Sequence, residues 1–334
     1  MKALAVIIIS VAVQYFLLPS SGLAYELQDR RELSEKSAAL LQGEQFAQLE
    51  TLADELRQKK SRTASGVWQL TSFYAGIQTA VNAKPDEAER WQAAERLVEK
   101  WLSGYSGQPT PHLAYAQLLM NHGWRIRGDG YASTVKPENW RPFHEYVEKA
   151  RVYLEDHKSV ASRDPHWYVM MAEIARVQSW PEADFRKMLL EGLELEPYFY
   201  QTYFAAIDYY APKWGGSAAA IEAFAKESLE RTKDVEGFGM YARIYWYASQ
   251  TQYNRNLFSR SLVDWPTMKK GIDDVLRRYP DGWNLNNFAK FACLAKDKAK
   301  TAELLARVHT DFVPEAWWPG PLFRRCWDWA TPPI

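Results

Sequence analysis

The sequence predicts an all-α protein in which helix-turn-helix pairs stack as an αα-superhelix. Three observations predict it. Apolar residues recur at helical spacing, as in Phe199, Tyr203, Ala206 and Tyr210. Prolines punctuate the chain where helices open: Pro165 and Pro197 stand 32 residues apart, with Trp167 and Tyr168 after the first and Phe199 and Tyr200 after the second. Pro280 repeats the device with Trp283. Finally, no alternating apolar run is bounded by hairpin turns, so no strand is expected. A single helix pair cannot bury its apolar face alone, and stacking against neighbours supplies the core.

The first 24 residues read as a secretory signal peptide. Lys2 is a short positive region, Ala3 to Leu18 is apolar except for Ser10 and Gln14, and Gly22-Leu23-Ala24 offers small residues for cleavage after Ala24. The run is shorter than the ~20 residues of a membrane helix, and no later stretch is apolar enough to span a bilayer. No cysteine stands at the cleavage point, which disfavours a lipid anchor. The expectation is a periplasmic or secreted protein with no stable membrane span after cleavage.

From Leu27 to Lys60 the pattern is helical, broken at Gly43 into two helices. Lys59, Lys60 and Arg62 stand where a helix should end and complement its dipole. Trp68–Val81 and Glu87–Leu102 make two more helices, with Lys84-Pro85-Asp86 as the turn between them. Gly104–Pro111 is a loop and a soft boundary, dividing an N-terminal helical section (25–107) from a helical-repeat core (108–313). In that core, helices are expected at His112–Trp124, Asn139–Leu154, from Pro165 to Gln178, and from Pro181 to about Glu196. The stretch Arg125–Ser133 between the first two is turn-rich.

Pro197–Ser217 is the clearest unit. Its aromatic helix must stop at Pro212, which lacks an N–H, and Gly215-Gly216 then forms an elbow. Ser217 caps the next helix, whose stripe is Ile221, Phe224, Ala225, Ser228 and Leu229. Further helices follow at Gly237–Ser249, Pro266–Arg278, Trp283–Ala295 and Lys298–His309. The near-32-residue recurrence approaches that of a tetratricopeptide-like solenoid, in degenerate form. If Pro197 closes such a repeat, the small turn glycine of that consensus falls on Glu173, a departure. The tail, 314–334, carries Trp317, Trp318, Trp327 and Trp329 among prolines and is expected to dock on the last helices as a cap.

Composition narrows the function. The chain has 334 residues, with 41 Lys and Arg against 41 Asp and Glu, so no excess charge draws it to nucleic acid. It is rich in large rings, with 15 Trp and 19 Tyr, which suit bulky helix packing or an aromatic-lined groove. Cys293 and Cys326 are the two cysteines; they form a bridge, or Cys293 is a small buried helix residue. No phosphate loop, dinucleotide fingerprint, HExxH motif or nucleophile elbow occurs, so no catalytic residue and no cofactor is assigned. His144 and Glu148 lie one helical turn apart but lack a third ligand, so no metal site is assigned.

The polar tract His122-Gly123-Trp124-Arg125-Ile126-Arg127-Gly128-Asp129-Gly130 is the best binding candidate, suited to a carboxylate or a sugar. Asp208, within the aromatic helix, and Trp214, at the elbow, complete the set. A carboxylate at Asp208 is expected to pair with Lys213 or an arginine, or to act as an acid with a raised pKa. The leading expectation is a non-enzymatic protein that mediates protein or peptide interaction in the cell envelope. The alternative is a glycan-binding or glycan-cleaving protein using these same residues in one open cleft.

His122-Gly123-Trp124 with Arg127-Gly128-Asp129-Gly130, then Trp140, Phe143, Asp164-Pro165, Pro212-Lys213-Trp214-Gly215-Gly216-Ser217, Tyr241-Ala242-Arg243 and Asn286 with Phe288-Ala289 together resemble a bacterial family, domain of unknown function 4034. The resemblance covers roughly Leu113 to Val308, and its most specific piece is the Pro-x-Trp-Gly-Gly-Ser turn. It implies a tetratricopeptide-like helical fold and adds no catalytic residue.

Overall fold

The computed structural model describes residues 25–82, 87–308, 312–317 and 321–331. The expected signal peptide, the Lys84-Pro85-Asp86 turn, His309 and Trp318 lie outside them. Among the described residues the chain is α-helical, and its single β-bridge, Arg62 with Trp68, belongs to no strand.

The N-terminal helices are α1 (Tyr25–Gln42), α2 (Phe46–Lys59), α3 (Gln69–Ala80) and α4 (Ala88–Tyr105). Gly43 and Glu44 separate α1 from α2 as the pattern predicts, with Glu44 at φ 55°. Helix α2 stops at Lys60, whose left-handed φ of 50° returns its N–H to the Leu56 carbonyl. Helix α5 (Pro109–Arg127) follows only three residues after α4, so most of the expected 104–111 loop is helix. Pro109 starts it from the first turn, where no N–H is needed. At its other end α5 runs through Arg125 and Arg127, correcting the turn-rich reading of that tract. Both arginines are good helix formers in a last turn, and Gly128, at φ 82°, ends the helix.

Next come α6 (Pro137–Asp156), the short α7 (Lys158–Ala161), α8 (His166–Val177) and α9 (Glu182–Leu195). The aromatic hairpin is α10 (Tyr200–Tyr210) and α11 (Ala218–Glu236). Its seam residues Phe199, Tyr203, Ala206 and Tyr210 are buried, as are Ile221, Phe224, Ala225, Ser228 and Leu229 opposite. Ser217 Oγ accepts from the Ala220 N–H at 3.0 Å, the expected cap. The rest is α12 (Gly239–Ala248), α13 (Leu257–Arg260), α14 (Trp265–Arg278), α15 (Gly282–Leu294), α16 (Lys298–Val308) and α17 (Leu322–Ala330). A π-turn at Ser249–Tyr253 and α13 fill a stretch for which the sequence suggested no element.

Helices pack mainly on the next one to three along the chain: α5 on α6 and α8, α8 on α10, α10 on α12, α12 on α14, α15 on α16 and α17. Loop 60–68 departs from that order. Lys60 pairs with Glu196 at 2.7 Å, and Arg62 donates to the Tyr198 carbonyl at 3.2 Å and lies 4.7 Å over the Tyr200 ring. Arg62 therefore docks the loop rather than merely ending a helix.

The described part of the tail docks on the last helices as expected. Cys293 and Cys326 form a disulfide with Cα atoms 5.8 Å apart, joining α15 to α17. Trp317 is buried, and its indole N–H donates to Asn286 Oδ1 at 2.8 Å. Trp329 stays 39% exposed.

Candidate functional site

The predicted residues do not all meet. His122 is stacked between the rings of Trp91 (4.4 Å) and Tyr146 (4.2 Å), and burial depresses its pKa with help from Lys149. Arg125 turns the other way and donates to Asn82 Oδ1 at 3.1 Å. Asp129 is exposed beyond the end of α5. These three take no part in a common cleft. His144 stacks on Trp140, while Glu148 accepts from Arg151 and Gln178.

The other four converge, and the residue that gathers them is Arg176 on α8. Its guanidinium lies 4.5 Å from the Trp214 ring and 5.9 Å from the Trp124 ring. Asp208 Oδ2 is 3.6 Å from Arg176 Nη1, and Glu173 Oε1 is 3.6 Å from Nη2. Trp124 donates its indole N–H to Glu173 Oε1 at 2.8 Å, and Arg127 covers the Trp124 ring at 5.2 Å. Arg127 also donates to the Gly128 and Gly130 carbonyls, which folds the glycine turn back against α5.

Helix periodicity places these groups. Val169, Glu173 and Arg176 share one face of α8, and Gln201, Phe204, Ala205 and Asp208 share the face of α10 turned away from its buried seam. With Tyr247 of α12 they line a cleft of about 250 Å³. Phe204 and Tyr247 stack at 4.9 Å to form an aromatic wall. Asp208 keeps only 14% side-chain exposure, so it opens on the cleft without being sealed in the core.

Polar bonding here is incomplete. Tyr247 donates its hydroxyl to Asp208 Oδ2 at 2.6 Å, and burial together with that carboxylate raises the tyrosine pKa, keeping it a donor. Asp208 Oδ1 accepts no hydrogen bond, although the Lys213 ammonium stands at 3.8 Å; that ammonium donates instead to the Thr251 carbonyl. Asp208 is thus paired with both Lys213 and an arginine. The Arg176 side chain makes no hydrogen bond, with Nε buried and both carboxylates beyond bonding distance. Gln201 Oε1 and the Trp214 indole N–H are also buried without partners. Arg127 has its pKa lowered by desolvation and by the nearby Arg176, a sign of positive charge gathered on this side. Among the described residues no group of His, Cys, Asp and Glu could hold a metal ion.

Sequence reading missed Arg176, Glu173, Gln201, Phe204 and Tyr247. Glu173 with Arg176 reads as an ordinary surface pair one turn apart, and only their packing against α10 makes them a site. A weak signal existed, since Gln201, Phe204 and Asp208 recur at helical spacing on the face opposite the aromatic seam.

No protein-family model, no curated protein and no solved structure matches the chain.

Proposed function

We propose that the chain is an exported, non-enzymatic helical-repeat protein that binds a protein or peptide partner in the cell envelope. In this reading its stacked helix pairs form a tetratricopeptide-like superhelix related to domain of unknown function 4034. The observation that carries the proposal is the convergence of Trp124, Arg127, Asp208 and Trp214 around Arg176 beside an open cleft. Mixed charge, hydrogen-bonding groups left unpaired and an aromatic wall suit polar recognition of a peptide. The Cys293–Cys326 bridge fits an oxidising compartment outside the cytoplasm.

Asp208, with an oxygen free of hydrogen bonds, favours the glycan reading. Against it, a guanidinium already lies over each of the two indoles a sugar would stack on, Arg176 over Trp214 and Arg127 over Trp124. Screening the purified protein against a peptide array and an envelope-glycan panel separates the two. Peptide binding that is lost in Arg176→Gln and Asp208→Asn is expected. Glycan binding or turnover without peptide binding would replace this reading with the alternative.

A further inference from the structure

The groups around Arg176 fall into two sets of opposite sign. On one side stands a guanidinium that is 13% exposed, offers five N–H donors and donates to none of its neighbours. Arg127, whose own guanidinium shares the Trp124 ring with it, adds a second cation. On the other side stand Asp208, whose Oδ1 accepts no hydrogen bond and has only the Lys213 ammonium at 3.8 Å, Glu173, hydrogen-bonded only through Oε1 to Trp124 and 3.6 Å from Arg176, and Gln201, whose Oε1 has no hydrogen-bond partner. The carboxylates 3.6 Å from Arg176 and the ammonium 3.8 Å from Asp208 Oδ1 supply charge, but a buried guanidinium that donates no hydrogen bond and a buried carboxylate oxygen that accepts none are both costly. Both costs sit at the same 250 Å³ cleft.

A ligand of one charge relieves only half of this arrangement. A simple anion satisfies Arg176 but meets Asp208 and Glu173, and a simple cation meets Arg176 and Arg127. A neutral sugar supplies hydrogen bonds, but only the weaker uncharged ones, to groups of both signs whose own ion pairs are too long to be hydrogen bonds. One chemistry answers both sets at once, an ammonium and a carboxylate carried on the same carbon. The volume suits a single residue of modest size, and Val169, Phe204 and Ala205 provide an apolar wall for its side chain.

We infer that the α8–α10–α12 cleft binds a zwitterionic α-amino acid group, its carboxylate held by Arg176 and its ammonium by Asp208 and Glu173. The inference rests on the reading of this cleft as a peptide-chemistry binding site and names the group it takes. That group comes either as a free amino acid or at the end of a branched side chain in a peptide. An ordinary peptide terminus carries only one of the two charges and is the poorer fit.

Calorimetric titration tests it, with the full chain freed of its leader and four sets of probes. These are the common L- and D-amino acids, their N-acetyl and carboxamide derivatives, a short peptide with a diamino-diacid side chain, and linear peptides lacking that group. At least one free amino acid or the branched peptide is expected to bind with a Kd below ~1 mM. Capping either charge should weaken it at least ~10-fold, as should Arg176→Gln or Asp208→Asn, while Arg125→Gln, outside the cleft, leaves it unchanged. Binding of the free amino acid assigns a small-molecule ligand; binding of the branched peptide alone assigns a peptide-borne one. Equal binding of the capped derivatives overturns the inference. Cleft-dependent binding of linear peptides with no response to either zwitterion source also overturns it, while leaving the broader function standing. Silence from every probe overturns both. Because capping alters the ligand and not the chain, the outcome survives even if a variant fails to fold.

Discussion

Arg243 Nη2 donates to the carbonyl of Ser65 at 2.8 Å across 178 residues of chain. The arginine is 2% exposed on α12, and its guanidinium lies 4.7 Å from the Tyr200 ring, which Arg62 approaches at the same distance. Ser65 Oγ and N–H in turn donate to Glu26 on α1, and Asn284 Nδ2 reaches the same Ser65 carbonyl at 3.1 Å. A helical array held only by neighbours would lack such a tie. Loop 60–68 therefore couples α1 to α12 and α15.

Removing the tie should loosen the N-terminal section first. Arg243→Ala strips a buried donor from Ser65 and leaves a void beside Tyr200, so a loss of about 3 kcal/mol is expected. Limited proteolysis should then cut within 60–68 at lower protease concentration than in the native protein. Cleavage elsewhere at unchanged sensitivity of this loop would show that the tie is dispensable.

Glu50 offers a pH signature. Burial pushes its carboxyl from 4.5 up to about 7, against hydrogen bonding from Thr110 and the field of Arg57. The folded chain then binds this proton more tightly than the unfolded chain. The contribution is full below pH 4.5 and is lost as pH rises through 7. His166, lowered by burial from 6.5 to about 4, and Lys290, lowered by burial from 10.5 to about 8, act in the opposite sense over their own ranges, so the signature is read as the difference between a Glu50 variant and the native chain. Glu50→Gln keeps an acceptor for Thr110 and removes the titration. It should be more stable than the native chain by on the order of 2 kcal/mol at pH 8 and close to equal at pH 5. Parallel thermal unfolding curves over that range, with no divergence, would contradict the assignment.

Much of the fold was legible because helical spacing of apolar residues is a local property. The Phe199–Tyr203–Ala206–Tyr210 seam and the Ser217 cap need no tertiary information. The site was legible only in part. Asp208 and Trp214 stood out by type, but the distance from Asp208 to Arg176 is a product of α8 packing on α10. Arg125 and Arg127 look alike in a loop; on a helix two residues point to different sides, and one meets Asn82 while the other meets Trp124. The role of loop 60–68 had no local signal, since its partners lie from tens of residues away, as Glu26 does, to well over a hundred, as Tyr198 and Arg243 do.

The glycine elbow separates two kinds of constraint. Gly215 has φ +93° with open space around it, so Gly215→Ala meets only the left-handed backbone cost of about 1 kcal/mol. At Gly216 a Cβ would overlap the Tyr210 carbonyl, which is already bonded to the Ser217 N–H. Gly216→Ala must push the α10–α11 connection apart and should cost at least ~3 kcal/mol. Trp214 rides on this turn, so its fluorescence should shift in the second variant and not in the first. Equal destabilisation of the two would mean that backbone angle, not crowding, governs the elbow.

The disulfide makes the last prediction. Cys293 and Cys326 are 33 residues apart, and the segment between them includes α16 and the buried Trp317. Closing that loop lowers the entropy of the unfolded chain, and removal of a bridge of this span costs about 3 kcal/mol. The folded contacts of the tail do not all depend on it. Asn286 Oδ1 still accepts from the Val313 N–H at 3.1 Å and from Trp317, and Leu322 and Ala330 remain apolar surfaces to bury. The Cys293→Ser/Cys326→Ser pair should therefore unfold at lower temperature while keeping its native circular dichroism and Trp317 burial. Hydrogen exchange should rise in α17 before it rises in α15, because α17 loses its covalent anchor and α15 keeps its packing on α14 and α16. Unchanged exchange in α17 would place the stabilisation elsewhere, and collapse of α15 would make the bridge part of the core rather than a fastening for the tail.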